Sequence, residues 1–279
     1  MIRLHNLNFK YRGATDFALA DMNLEIGEGE FVGVIGGSGA GKTTLTYALN
    51  GVVPHYYGGD FYGRAEVNGL DTIEAGPAKL SEIVGSVFQD IDGQMVASIV
   101  EDELLFGLEN FGVPRKEIGE RLAMALETLG ISDLRDRAIA TLSGGQKQKV
   151  AIAAIVALKP RVLVLDEPTG ELDPKSSVQV FEMLKKLNED FGMTVVVVEQ
   201  KIMLLCEYVR RLIVMGGGRA LLDGTVRDVL QNAEALGAAG VSVPRVTSLA
   251  VELKRRGLYA GSYPASVPEA ERMVREVLA

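Results

Sequence analysis

The chain has 279 residues, 47% hydrophobic and 24% charged, with a formal net charge of −8. This composition suits a globular protein able to bury one large core, and its acidity argues against a protein built to bind nucleic acid through a basic surface. The single cysteine, Cys206, excludes an intramolecular disulfide. It lies in the apolar stretch KIMLLCEYV and is expected to be a buried, inert thiol.

Residues 1–30 alternate apolar and polar (IRLHNLNFKY, ALADMNLEI), which predicts antiparallel strands. EFVGVIG then reads as a buried strand running into a glycine-rich loop and a helix start, and AEVNGLDT as an edge strand and turn. Residues 77–140 are expected to be mostly helical, with KEIGERLAMALETLGI the clearest amphipathic helix. RVLVLDEP and MTVVVVEQ are two further buried strands joined by the helix SSVQVFEMLKKLNEDFG, the order of a parallel crossover unit. RRLIVMGGGRALLDGT predicts a closing hairpin through Gly216–Gly218. VRDVLQNAEALGAAG, PRVTSLAVELKRRG and VPEAERMVREVL are helical and form an expected appendage over residues 226–279. No apolar run is long enough to span a bilayer and MIRLHNLNFKY has no apolar centre, so any membrane association is expected to be peripheral. His5 and His55 have no metal-ligand spacing and are read as incidental.

GGSGAGKTT, comprising Gly36, Gly37, Ser38, Gly39, Ala40, Gly41, Lys42, Thr43 and Thr44, fits the phosphate-loop pattern G-x-x-x-x-G-K-S/T between a buried strand and a helix. Its backbone N–H groups and the helix dipole suit phosphate oxygens. Lys42 is placed to reach the terminal phosphates and the Thr43 hydroxyl to ligate Mg²⁺. VLVLDEP sets Asp166 and Glu167 at the end of a core strand. Asp166 is expected to hold the metal and Glu167 to orient or deprotonate the attacking water. In TLSGGQKQKVAIA, Ser143 is a good helix N-cap, followed by Gly144, Gly145 and Gln146. This second phosphate-grade helix start has no phosphate of its own to serve, which implies two subunits sharing ATP across an interface. Taken alone, it could be only a cap.

These motifs, in this order and joined by Gln89 in GSVFQD and Asp173 in GELDP, resemble the ATP-binding subunit of an ABC transporter over about residues 1–225. The resemblance implies an α/β P-loop NTPase fold of the ABC type: a mostly parallel core sheet, an antiparallel N-terminal β subdomain, a helical subdomain over about 77–157, and a small C-terminal helical appendage. It implies ATP and Mg²⁺ as cofactors. It also implies that Tyr11 stacks on adenine, that Gln89 senses Mg²⁺ and water and connects to a membrane partner, and that Asp173 contacts the opposite subunit. VFQDIDGQMVASIVEDELLFGLENFGVP, GVVPHYYGGDFYGRAEVNGLDT and the appendage narrow the resemblance to the ATPase subunits of energy-coupling-factor (ECF) vitamin and metal transporters. There, two ATPase subunits sit at the cytoplasmic face beneath a transmembrane coupling protein, which holds a separate substrate-binding membrane protein, and the appendage helps the ATPases dimerise.

Two positions depart from the pattern. Glu171 stands where glycine is usual, and Gln200 stands at the position of the switch histidine. Glutamine can donate and accept hydrogen bonds there, but it cannot carry a proton near neutral pH. Glu199 and Lys201 beside it read as solvated turn residues. The competing functions are a soluble ABC-type ATPase in translation or DNA repair, a P-loop kinase or GTPase, and a nucleotide-gated scaffold with little hydrolysis. The first lacks its usual second cassette or coiled-coil insertion, and LSGGQ counts against the second. Glu167 weakens the third, and Gln200 keeps it alive.

Overall fold

The computed structural model describes residues 1–278. Strands β1 (Ile2–Tyr11) and β2 (Leu19–Ile26) pair antiparallel. The alternation of β1 slips once, at Asn6, whose φ of 46° accompanies a shift in register, so that Leu4 and Leu7 both remain buried. Strand β3 (Phe31–Gly36) leads into the glycine-rich loop and helix α1 (Lys42–Leu49), after which come the short α2 (Val52–His55), β4 (Gly59–Val67) and β5 (Leu70–Asp71). The β4–β5 turn is Asn68–Gly69, both at positive φ, the residue pair that a tight type I′ hairpin requires. These outer strands form an antiparallel sheet in the order β2-β1-β4-β5.

The chain then runs through α3 (Thr72–Leu80), β6 (Val84–Val87), α4 (Ile91–Gln94), α5 (Val100–Asn110), α6 (Arg115–Thr128) and α7 (Gly144–Val156). Strand β7 (Val162–Asp166), helix α8 (Pro174–Phe191), strand β8 (Thr194–Val198), helix α9 (Ile202–Tyr208) and the hairpin β9 (Arg211–Gly216) and β10 (Arg219–Thr225) complete a six-stranded sheet. Its order is β10-β9-β3-β8-β7-β6, parallel throughout except for β10.

Residues 77–140 are mostly helical, as expected, with one strand the sequence reading did not contain: β6, which extends the parallel sheet at its edge. The strand has only four residues, two of them Gly85 and Ser86, so it offers no β-branched run. Gly85 is there for close approach: a Cβ at this position would collide with the Ile155 side chain of α7.

The valine strand β8 lies between β3 and β7 and is buried on both faces. Val196 and Val198 join the apolar layer between the two sheets, with Leu45 and Leu49 of α1. Val195 and Val197 join the layer beneath α5, α7 and α8. In register, Val198 stands level with Val34 of β3 and with Asp166 of β7. The residues after Val198 therefore emerge between the glycine-rich loop and the two acids.

Helices α10 (Val226–Leu230) and α11 (Ala233–Ala238) bury Val226, Val229, Leu230 and Leu236 in the main core instead of standing apart as an appendage. The separate unit is smaller. Helices α12 (Arg245–Arg255) and α13 (Val267–Leu278) share their own cluster of Ala250, Ala270 and Met273.

Candidate functional site

The glycine-rich loop turns tightly enough that Gly41 has a φ of 95°, and a Cβ there would strike the Ala18 carbonyl. A Cβ on Gly36 would likewise meet the Met215 carbonyl. Gly41 caps α1 without a side chain, leaving the first-turn N–H groups directed out of the helix. Lys42, 8% exposed, folds back and donates to the carbonyls of Gly36 at 2.9 Å and Gly37 at 3.0 Å. Ser38, Gly39 and Thr43 are exposed, while Ala40 and Thr44 are buried. The Gly37 N–H donates to the Ala239 carbonyl, so the end of α11 rests directly on the loop.

Asp166 and Glu167 close β7. Asp166 is 3% exposed, and its Oδ1 has no hydrogen-bond partner among the described residues. Burial pushes its carboxyl above the usual range. The Thr43 hydroxyl opposes that shift and the neighbouring Glu167 adds to it. An orphaned acid oxygen next to a threonine hydroxyl and the phosphate loop is a donor set that fits a hard divalent cation. Glu167 adopts a φ of 50°, a conformation costly for a residue with a side chain and concentrated at functional sites. The turn aims its carboxylate at two amides. Gln200 Nε2 donates to Oε1 at 2.6 Å and Gln89 Nε2 to Oε2 at 3.4 Å. Three residues singled out from separate parts of the sequence thus meet on one carboxylate.

Gln89 is held by its surroundings. The Gln94 side chain accepts from the Phe88 N–H and donates to the Ser86 carbonyl, pinning the end of β6. Lys147 of α7 donates to Asp92 at 2.6 Å, tying this segment to the helix that starts at the SGGQ motif. That helix opens with a full capping box, in which Ser143 and Gln146 each bond the other's backbone. Ser143 and Gly144 are exposed. A cavity of about 770 Å³ is lined by Thr43, Gln89, Gly144, Asp166, Glu167 and Gln200, among others.

Asp173 caps α8, accepting from the N–H groups of Lys175 and Ser176 and from the Ser176 hydroxyl, which holds its carboxyl below the usual range. Tyr11 hydrogen-bonds Thr44 at 3.0 Å, and its ring packs edge-on against Phe9 and Tyr57. Burial pushes the Tyr11 hydroxyl up.

The reading of Glu199 and Lys201 as solvated turn residues is overturned. Glu199 is 1% exposed and accepts the Thr169 hydroxyl at 2.6 Å. Lys201 is half-buried against the turn that follows Glu167. No periodicity announces either contact, because both depend on a segment thirty residues away in sequence.

The family model for ABC transporters matches residues 19–170. An ABC transporter ATP-binding protein of Pyrococcus abyssi is 39% identical over 99% of this chain and 99% of its own. The energy-coupling factor transporter ATP-binding protein EcfA1 of Caldanaerobacter subterraneus is 38% identical over 98% of this chain and 97% of its own. Among solved structures, CbiO1 of Clostridium perfringens, part of the ABC transporter complex cbiONQ, superposes with a TM-score of 0.76 at 33% identity, covering 89% of this chain and 97% of that one. A dimeric ATP-binding cassette in a post-hydrolysis state with ADP and Pi gives a TM-score of 0.70 at 28% identity, covering 81% and 99%. The chain belongs to the ABC transporter ATP-binding family and is an ATPase whose hydrolysis of ATP is coupled to transport.

Proposed function

We propose that this chain is the ATPase subunit of an ECF-type importer of a micronutrient, a vitamin or a metal ion, working at the cytoplasmic face of the membrane. Two such subunits sandwich ATP, and their closure drives a transmembrane coupling protein that carries a separate substrate-binding membrane protein. No helix among the described residues is long and apolar enough to cross a membrane, which is consistent with a peripheral subunit. The full-length likeness to EcfA1 and to CbiO1 supports the subgroup. The exposed Ser143 and Gly144 support contact with the nucleotide of a second subunit, and α12 and α13 are the segment we assign to dimerisation. The acidic chain needs no nucleic-acid partner.

In this reading Lys42 exchanges the Gly36 and Gly37 carbonyls for the terminal phosphates of ATP, and the N–H groups of residues 37–44 follow the phosphate chain. Thr43 and Asp166, with Gln89 at the edge, would hold Mg²⁺, which neutralises charge on the phosphates. Tyr11 packs against adenine, and Asp173 meets the opposite subunit. Glu167 accepts the proton of the attacking water. The amides of Gln89 and Gln200 fix its carboxylate and leave its remaining lone pairs for that water. The grip on Glu167 by Gln200 at 2.6 Å is the observation that carries this reading.

The experiment is ATP hydrolysis by the chain co-purified with its membrane partner, in wild type and in Glu167→Gln. The variant is expected to bind ATP and to lose at least about a hundredfold in kcat. Hydrolysis unaffected by Glu167→Gln, or a chain that fails to co-purify with any membrane protein, would remove the respective half of the reading.

A further inference from the structure

Lys201 directs its ammonium at three neutral oxygens: the Thr169 carbonyl at 2.6 Å, the Leu172 carbonyl at 3.1 Å and the Ser177 hydroxyl at 2.9 Å. No ion pair among the described residues includes it. A half-buried ammonium satisfied in this way adds little net stability, because desolvation of the charge offsets most of the bonding. The consequence of the three bonds is geometric. Thr169 and Leu172 bracket the turn between Glu167 and Asp173, and Ser177 donates onward to the Asp173 carbonyl at 2.9 Å. From the other side of Gln200, the buried carboxyl of Glu199 takes the Thr169 hydroxyl. Both chain neighbours of Gln200 therefore grip one turn, while Gln200 grips the glutamate that begins it.

We propose that Lys201 is a positioning residue for ATP hydrolysis, binding the Glu167–Asp173 turn to the end of β8 so that a displacement at Asp173 is carried to Gln200 and Glu167. The path is contiguous: Asp173 carbonyl, Ser177 hydroxyl, Lys201 ammonium, and then one peptide link to Gln200. Docking of a second copy on Asp173 would reach the catalytic carboxylate through it. The inference rests on Glu167 being the base that Gln200 holds.

In the purified full-length chain, Mg²⁺-ATP turnover and ATP affinity are measured separately for Lys201→Met, Lys201→Arg, Ser177→Ala, Gln200→Ala and the Gln200→Ala/Lys201→Met pair. Lys201→Met is expected to lower kcat between about tenfold and a hundredfold, the scale of an ångström-level misplacement, with ATP affinity within about twofold of wild type. Lys201→Arg should recover part of the loss, and Ser177→Ala should show a smaller fall in kcat at unchanged affinity. The double variant should be no slower than Gln200→Ala alone, because Lys201 acts through that residue. Unchanged kcat in Lys201→Met overturns the proposal, as do losses that multiply in the double variant. If Lys201→Met does not fold, Ser177→Ala decides, and wild-type turnover in it overturns the proposal equally. Glu167→Gln, run alongside, reports separately: full activity there would refute Glu167 as the base, whatever the Lys201 series shows.

Discussion

Gln200 donates through its amide to the carboxylate of Glu167 but has no proton to exchange near neutral pH. Gln200→His is expected to raise kcat severalfold and to introduce an inflection in the pH–rate profile at roughly the histidine pKa of 6.5. A profile identical to wild type would show that the glutamine does not limit the rate. Beside it, burial pushes the Glu199 carboxyl up, with the Thr169 hydroxyl and Lys201 opposing the shift. An acid whose folded pKa is raised keeps its proton when the unfolded chain has lost it, so this group costs stability as pH rises through the window above its unfolded value. Glu199→Gln, which can still accept from Thr169, should therefore raise the Tm at pH 7–8 and leave it nearly unchanged at about pH 4. An equal gain at both pH values would contradict burial as the cause. The Cys206 thiol is half-buried, less enclosed than its apolar neighbours suggest, and is pushed up to about 12 by desolvation. It should resist alkylation by iodoacetamide near pH 8 in the folded chain and react promptly in denaturant. At this scale the sequence was informative wherever a motif fixes a backbone geometry, as at Gly41 or Ser143. It was mute for Glu199 and Lys201, where charged letters after a strand suggest solvent and only the distant turn supplies their partners.

Among the elements, β3, β7 and β8 are legible because strands buried on both faces are written as unbroken apolar runs. The β9–β10 hairpin is legible because Gly217 and Gly218 provide the positive φ angles of its turn. Strand β6 is not, because its place is set by the approach of α7 to Gly85 and not by the propensity of its own residues. The same closeness gives a prediction. Gly85→Val, which improves local β propensity, should destabilise the protein by about 1–3 kcal/mol by forcing α7 away from the sheet. The effect should extend to turnover, since β6 leads directly to Gln89. Chemical denaturation read alongside ATP hydrolysis would check both parts, and a stabilised variant would mean that propensity outweighs packing here.

For the whole molecule, the C-terminal region divides where the cores divide and not where the sheet pattern ends. Buried residues up to Val241 are part of the main apolar layer, against which the partly buried Val243 and Ala265 also pack, and the Ala239 carbonyl takes the N–H of Gly37 in the phosphate loop. Beyond them, α12 and α13 close on a cluster of three buried residues. Their link to α10 includes the exposed Arg227–Glu269 pair, a contact of small energetic weight. Truncation after Ser242 should therefore leave the Tm and the ATP affinity of the monomer close to wild type, and weaken self-association if these helices are the dimer contact. Truncation after Thr225 removes Val229, Leu230 and Leu236 from the core, and each buried aliphatic side chain of that size is worth roughly 1.5–3 kcal/mol. Their combined loss is comparable to the whole stability of a typical domain, so this shorter chain should fail to fold or should bind ATP weakly through a loop that has lost its support at Gly37. Thermal melts, nucleotide titration and sedimentation of the two truncations separate these outcomes. Equal behaviour of the pair would place the boundary back at the end of β10, where the change from strand to helix pattern first suggested it.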